Sequence, residues 1–453
     1  MSYADPAAGS IRLAVMALPR PGAAGSSAPA GLSGPDLLLN PGGPGESGVQ
    51  FLSSAASSFP ASLRQHFNLV SWDPRGVGQS SPAVQCLSPA AFRAYADTPP
   101  APEGPAGVPA FVASVQSFDR ACAAHTSRRL LENISTADSA RDMDRLRAAL
   151  GQQKLTYLGF SYGTYLGYWY ALLFPRRVRA MVLDGAVDPT ISQVETATLQ
   201  AQSLEVDLHD FFNWCPGTPS CRSLLPGGAR QAFATVMNRL KSGGSLLAQL
   251  SSTVGGTQRI HYGDGLTGVV APLYAKSEWP LLAQALSQAL KGNGTLLAAL
   301  AFEYDGFNSN GTLQNVQAAN AATTCADHPS AFSISKLSSL ARSLARSAPD
   351  FGAVEAYSLY GCTPWSVHLT APAQASVSRR LPAVVVVGST HDPVTPFSWA
   401  KALSAVLPHS VLLTRVGDGH TGYFASACVR AEADAYLESL KTPAPGTVCQ
   451  SGA

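Results

Sequence analysis

The sequence predicts an α/β protein with a mostly parallel central sheet and an inserted helical cap. Three observations carry this. Apolar, β-branched runs alternate with helical runs up to Asp188 and return after Arg380. One such run ends in the pentapeptide Gly159-Phe-Ser161-Tyr-Gly163, and a helix-compatible stretch follows at once from Thr164 to Phe174. Between Asp188 and about Arg380 the strand pattern gives way to helical runs broken by glycine-rich turns.

Taken in order, strands are expected over residues 11–17, 36–39, 67–72, 155–158, 178–183, 383–387 and 411–416. The run Ala383-Val-Val-Val-Val is continuous rather than alternating, as a parallel strand buried on both faces requires. A helix over residues 136–150, with Asp and Arg on its polar side, leads into the strand before Ser161. Cap helices are expected over residues 199–213, 229–240, 280–290 and 334–348, and an exposed loop over residues 22–34. The division is therefore a first core part (1–188), a helical cap (189–380) and a C-terminal core part (381–453).

Composition narrows the function. With 453 residues, 46% hydrophobic and 13% charged, the chain can bury a large core and is longer than a bare α/β core needs. A net charge of +2 without a basic cluster leaves no electrostatic footprint for nucleic acid. No apolar stretch approaches the roughly 18 residues of a membrane-spanning helix. A monomer without nucleic-acid or membrane partners is expected. Met1-Ser-Tyr-Ala-Asp lacks a charged and apolar leader, as a trimmed mature enzyme would.

Ser161 stands where a sharp strand-to-helix turn presents a nucleophile, and Gly159 and Gly163 remove the Cβ atoms that would block that turn. In this architecture an acid and then a histidine follow, each after a late strand. Asp392 follows the 383–387 run, and His420 lies in the glycine-flanked loop Gly417-Asp-Gly-His-Thr-Gly after 411–416. Asp418 competes for the acid role but suits a turn cap, and neither His391 nor His328 follows a late strand in the required order. An oxyanion needs two backbone donors. One is the N–H of Tyr162. The other comes from the loop Asn40-Pro-Gly-Gly-Pro-Gly-Glu-Ser-Gly48, where Gly43 is preferred over Gly42.

Together these segments, with Trp72-Asp73-Pro-Arg75-Gly76-Val-Gly78, His391-Asp-Pro-Val-Thr-Pro and Gly-Asp-Gly-His420-Thr, resemble the secreted tripeptidyl aminopeptidases. These are α/β-hydrolases related to proline iminopeptidases. The resemblance runs from Tyr3 to Cys449 and is weakest in the cap. It implies the α/β-hydrolase fold and a serine exopeptidase that releases short peptides from free N-termini, with no cofactor. A carboxylesterase or lipase on the same scaffold is the alternative, since acyl transfer to water uses the same parts.

Eight cysteines allow 105 pairings, and none lies in C-x-x-C or beside a metal motif, so disulfides and an oxidising, extracytoplasmic compartment are expected, with no metal. The resemblance implies sequential pairing: Cys86 with Cys122, Cys215 with Cys221, Cys325 with Cys362, and Cys428 with Cys449. Sequons stand at Asn133, Asn293 and Asn310. An aminopeptidase must also hold an ammonium group, and Asp327, Glu303 and Glu46 are the candidate carboxylates, with Asp305 beside them. Arg75 is expected to brace the oxyanion loop.

Overall fold

The computed structural model describes residues 2–5, 7, 9–22, 32–251, 256–367 and 376–450; most of the expected 22–34 loop lies outside them. Ten strands are formed: β1 (Val15–Leu18), β2 (Asp36–Asn40), β3 (Asn68–Trp72), β4 (Leu155–Phe160), β5 (Val178–Asp184), β6 (Leu246–Gln249), β7 (Thr257–Ile260), β8 (Val385–His391), β9 (Val411–Asp418) and β10 (Val448–Gln450). Eight make one sheet in the order β1-β3-β2-β4-β5-β8-β9-β10. Only β1 runs antiparallel, against β3; every other junction is parallel.

The central strands are buried on both faces, which explains their unbroken apolar character. Leu38, Val70, Tyr157 and Val386 pack on one side, and Leu37, Leu39, Leu69, Leu158 and Val385 on the other. Helix Thr136–Ala149 covers the first side with helix Tyr162–Leu173. Helices from Gln193–Gly217 to Gly352–Ser358 hold a core of their own around Phe211, Trp279 and Leu282.

Three differences from the sequence expectation have physical causes. Residues 11–14 stay outside the sheet because Arg12 pairs with Ser81 instead, donating its N–H at 2.9 Å. Among its described residues the helical region contains one antiparallel pair, β6 with β7, four residues a strand and too short to leave a period-2 signal. Three-residue β10 joins the sheet edge beside β9, and Cys428–Cys449 ties it to helix Ala427–Ser439. The remaining bridges are Cys86–Cys122, Cys215–Cys221 and Cys325–Cys362. Among the described residues, no helix is long and apolar enough to cross a membrane.

Candidate active site

Ser161 sits between β4 and helix Tyr162–Leu173 with φ 54° and ψ −125°, a conformation non-glycine residues rarely adopt. Tight approach explains the flanking glycines. A Cβ on Gly159 would lie 2.6 Å from the Gly163 carbonyl oxygen, and one on Gly163 would lie 2.8 Å from the Asn40 carbonyl oxygen. The Ser161 N–H is held by the Asp184 carbonyl at 2.9 Å.

His420 follows β9. Its Nδ1 lies 2.9 and 3.0 Å from the two Asp392 carboxylate oxygens, while the buried Nε2 has no hydrogen-bond partner. Asp392 also accepts from the backbone N–H groups of Val394 (3.0 Å), Thr395 (2.8 Å) and Thr421 (3.2 Å). Burial alone would raise the Asp392 pKa, yet the His420 charge and these donors hold it below the usual carboxylate range. Burial would likewise depress His420, but Asp392, Asp184 and Glu46 keep it above the ordinary histidine value. The pair is thus built to carry an imidazolium.

Ser161 and His420 line one cavity of about 760 Å³ together with Gly43, Glu46, Tyr274, Glu303 and Tyr304. The glycine loop packs on the nucleophile turn: a Cβ on Gly42 would meet Ser161 Cβ at 2.9 Å and the Tyr162 nitrogen at 3.1 Å. Both Gly42 and Gly43 have positive φ, 114° and 101°. The loop is braced by Asp73, which accepts from Ser47 Oγ (2.6 Å) and the N–H groups of Val49 (3.1 Å) and Gln79 (2.8 Å). This corrects the expectation for Arg75, whose guanidinium grips Asp142, on the helix leading into β4, at 2.6 and 2.7 Å.

The candidate ammonium anchors separate. Glu303 and Glu46 line the cavity. Glu46 is pushed up to about 6 by the protein around it, against the lowering effect of His420. Asp327 does not line that cavity: it is buried, and its oxygens accept from the Thr136 N–H (2.8 Å) and hydroxyl. Thr136 in turn meets the Tyr162 hydroxyl, so Asp327 braces the start of helix Thr136–Ala149 and the residue after the nucleophile. Asp305 is buried elsewhere and does not line the cavity.

Sequence reading missed three supporting residues. Asp184, at the carboxyl end of β5, accepts from the N–H groups of Gly422 (2.8 Å) and Tyr423 (2.7 Å), fixing the chain just after His420. Arg415 donates to the carbonyls of Gly419 (3.1 Å), Thr421 (3.2 Å) and Asp418 (2.8 Å), holding the His420 loop from within. A lone cation in an apolar strand was the available signal. Tyr274, from the helical region, accepts the His420 N–H at 2.7 Å and sets its ring edge-on to the imidazole at 5.5 Å.

Residues 35–224 match the alpha/beta hydrolase fold family, and residues 348–449 match the TAP-like protein family. The chain is 33% identical to serine protease Hip1 of Mycobacterium tuberculosis over 418 residues, covering 91% of this chain and 80% of that protein. It is also 33% identical to carboxylesterase B of M. tuberculosis, over 94% of this chain and 79% of that protein. With the tripeptidyl aminopeptidase of Streptomyces lividans the identity is 29%, over 99% of this chain and 82% of that protein.

Proposed function

This chain belongs to the α/β-hydrolase family, with the TAP-like proteins, and from that membership we propose that it is a serine exopeptidase releasing short peptides from free N-termini. One observation carries the reading: Ser161, in its strained turn, shares a cavity with a histidine whose Nδ1 is held by a buried carboxylate and whose Nε2 has no protein partner.

His420 Nε2 takes the Ser161 proton as Oγ attacks the scissile carbonyl, and Asp392 stabilises the imidazolium. The N–H groups of Tyr162 and Gly43 receive the developing oxyanion. The tetrahedral intermediate collapses as its C–N bond breaks, and His420 returns the proton to the leaving amine. Water, deprotonated by His420, then attacks the acyl-enzyme, releasing the peptide acid and restoring Ser161. Glu303 and Glu46 on the cavity wall offer the negative charge that a substrate ammonium needs. Beyond them the cavity continues into a second depression through Gln50, Asn308, Gln314 and Gln317, amides suited to an extended peptide backbone. Four disulfides support an oxidising, extracytoplasmic setting.

The relative named carboxylesterase B favours a second reading, ester hydrolysis by the same residues. The two separate on substrate. Tripeptidyl anilides with a free amine are expected to turn over about a hundredfold better in kcat/KM than their acetylated forms, and Glu303→Gln or Glu46→Gln narrows that ratio. Equal rates on free and acetylated peptides, or turnover of p-nitrophenyl esters without peptide turnover, overturn the exopeptidase reading.

A further inference from the structure

Behind the His420 loop, the helical region and the sheet meet at a cluster the peptidase chemistry does not use. Asp210 lies on helix Gln193–Gly217, His391 ends β8, and Asp418 ends β9. Among the described residues, these three bring ligand-type atoms within 4.8 Å of one another. His391 Nδ1 stands 2.9 Å from Asp210 Oδ2 and 3.0 Å from Asp418 Oδ1.

One ring N–H faces both carboxylates but aligns with one of them. It is directed to Asp418, which leaves Asp210 Oδ2, an atom shielded from solvent, with no hydrogen bond despite its short distance to the ring. Asp207, one helical turn before Asp210, is fully buried with neither carboxylate oxygen hydrogen-bonded. Burial first, and then the charges of Asp392, Asp210 and Asp418, push its pKa up to about 8, which favours the neutral acid at neutral pH, and the neighbouring Gly419 N–H donates to the His391 carbonyl at 2.8 Å. Two carboxylates, Asp210 and Asp418, therefore converge on His391 Nδ1, and the shielded Asp210 oxygen is the one left unmatched.

We propose that Asp210, His391 and Asp418 bind one divalent transition-metal ion of the zinc type, which clamps the helical region to the ends of β8 and β9. Donors about 2.0–2.1 Å from a tetrahedral ion stand about 3.3 Å apart, so the two separations from His391 Nδ1, 2.9 and 3.0 Å, need only a small expansion. One imidazole and two carboxylates suit zinc or manganese, whereas calcium calls for six to eight oxygens. His391, with 47% of its side chain exposed, leaves an entry path and room for water to complete the coordination. Lys276 Nζ, 2.6 Å from the other Asp418 oxygen, neutralises part of the charge and competes with the ion. The clamp would sit one residue from Asp392 and two from His420. It is independent of the peptidase reading, because its readout is ion uptake.

Untagged protein stripped with a chelator is titrated with zinc by equilibrium dialysis, and with cobalt by visible absorption. The expected result is one ion per chain at micromolar affinity or tighter, weakened at least tenfold by Asp210→Asn and by His391→Gln. Lys276→Met keeps all three ligands and removes the competing cation, so it binds several-fold more tightly. No saturable uptake by the wild type, uptake unchanged in both ligand variants, or weaker uptake in Lys276→Met overturns the site.

Discussion

Buried carboxylates are treated differently by the sheet and by the helical region. Along the sheet, Asp73, Asp184 and Asp392 stand at or just beyond strand ends, and each accepts at least two backbone N–H groups. In the helical region Asp207 has no hydrogen bond, Asp264 leaves Oδ1 without one, and burial pushes Asp264 and Asp305 up to about 7. The difference is one of donors. Chain leaving a parallel strand turns through loops whose N–H groups are unspent, whereas helix interiors have committed theirs to the carbonyl four residues back. Asp327 tests the rule. It ends helix Val316–Asp327, and its backbone donor is the Thr136 N–H at the start of helix Thr136–Ala149, yet burial still lifts it to about 7. At the strand ends Asp392 is held below the usual carboxylate range, although burial still lifts Asp184 to about 6, whereas among the helices Asp264 and Asp305 are lifted further, to about 7.

The comparison breaks most visibly at the nucleophile. If the strand-end loops hold a working charge relay, Ser161→Ala and His420→Ala each lower kcat by roughly 10⁴-fold or more, and Asp392→Asn by a similar factor, with unchanged melting curves. Single-turnover assays on a peptidyl anilide check this. A fully active Ser161→Ala enzyme would remove Ser161 from the chemistry.

A smaller effect is expected at Asp184, which touches no substrate and acts through the His420 loop. Asp184→Asn weakens charged hydrogen bonds to Gly422 and Tyr423, costing about 2 kcal/mol in urea unfolding. It also lowers kcat with little change in KM, because the imidazole is less firmly placed. A loss of stability with kcat intact would make Asp184 structural only.

The smallest effect sharpens the helical half. Asp264 is raised by burial and then by Asp97 and Asp305, while Asp305 is raised by burial. Their folded pKa values exceed the unfolded ones, so their contribution to stability is present below about pH 4 and is lost as pH rises through about 7. Denaturant midpoints should fall between pH 5 and pH 9. Asp264→Asn should flatten that fall by about 1 kcal/mol, being near neutral at pH 5 and stabilising at pH 9. A variant whose pH profile superimposes on the wild type would show that Asp264 ionises without cost.

How legible was this in the sequence? The central strands announced themselves because burial on both faces leaves continuous apolar runs, as in Ala383 to Val387. Ser161 was legible because a strained turn demands glycines at fixed neighbours. Asp392 and His420 were legible from their order after late strands. Four helices between residues 189 and 380 were found, whereas Tyr262–Leu273, Thr295–Asp305 and Val316–Asp327 were not named, and neither were β6, β7 and β10, at three or four residues.

Side-chain partnership was the harder part. Nothing in consecutive residues says that Asp73 rather than Arg75 braces the glycine loop, that Asp327 turns away from the cavity while Glu303 lines it, or that Asp210 meets His391 and Asp418. By itself the sequence determined what depends on neighbours along the chain: the alternation of strands and helices, the turn that exposes Ser161, and an even set of cysteines. Tertiary structure alone decided which charges face each other, because a carboxylate's role depends on the donors within about 3 Å of it, and those donors arrive from segments far apart in the chain.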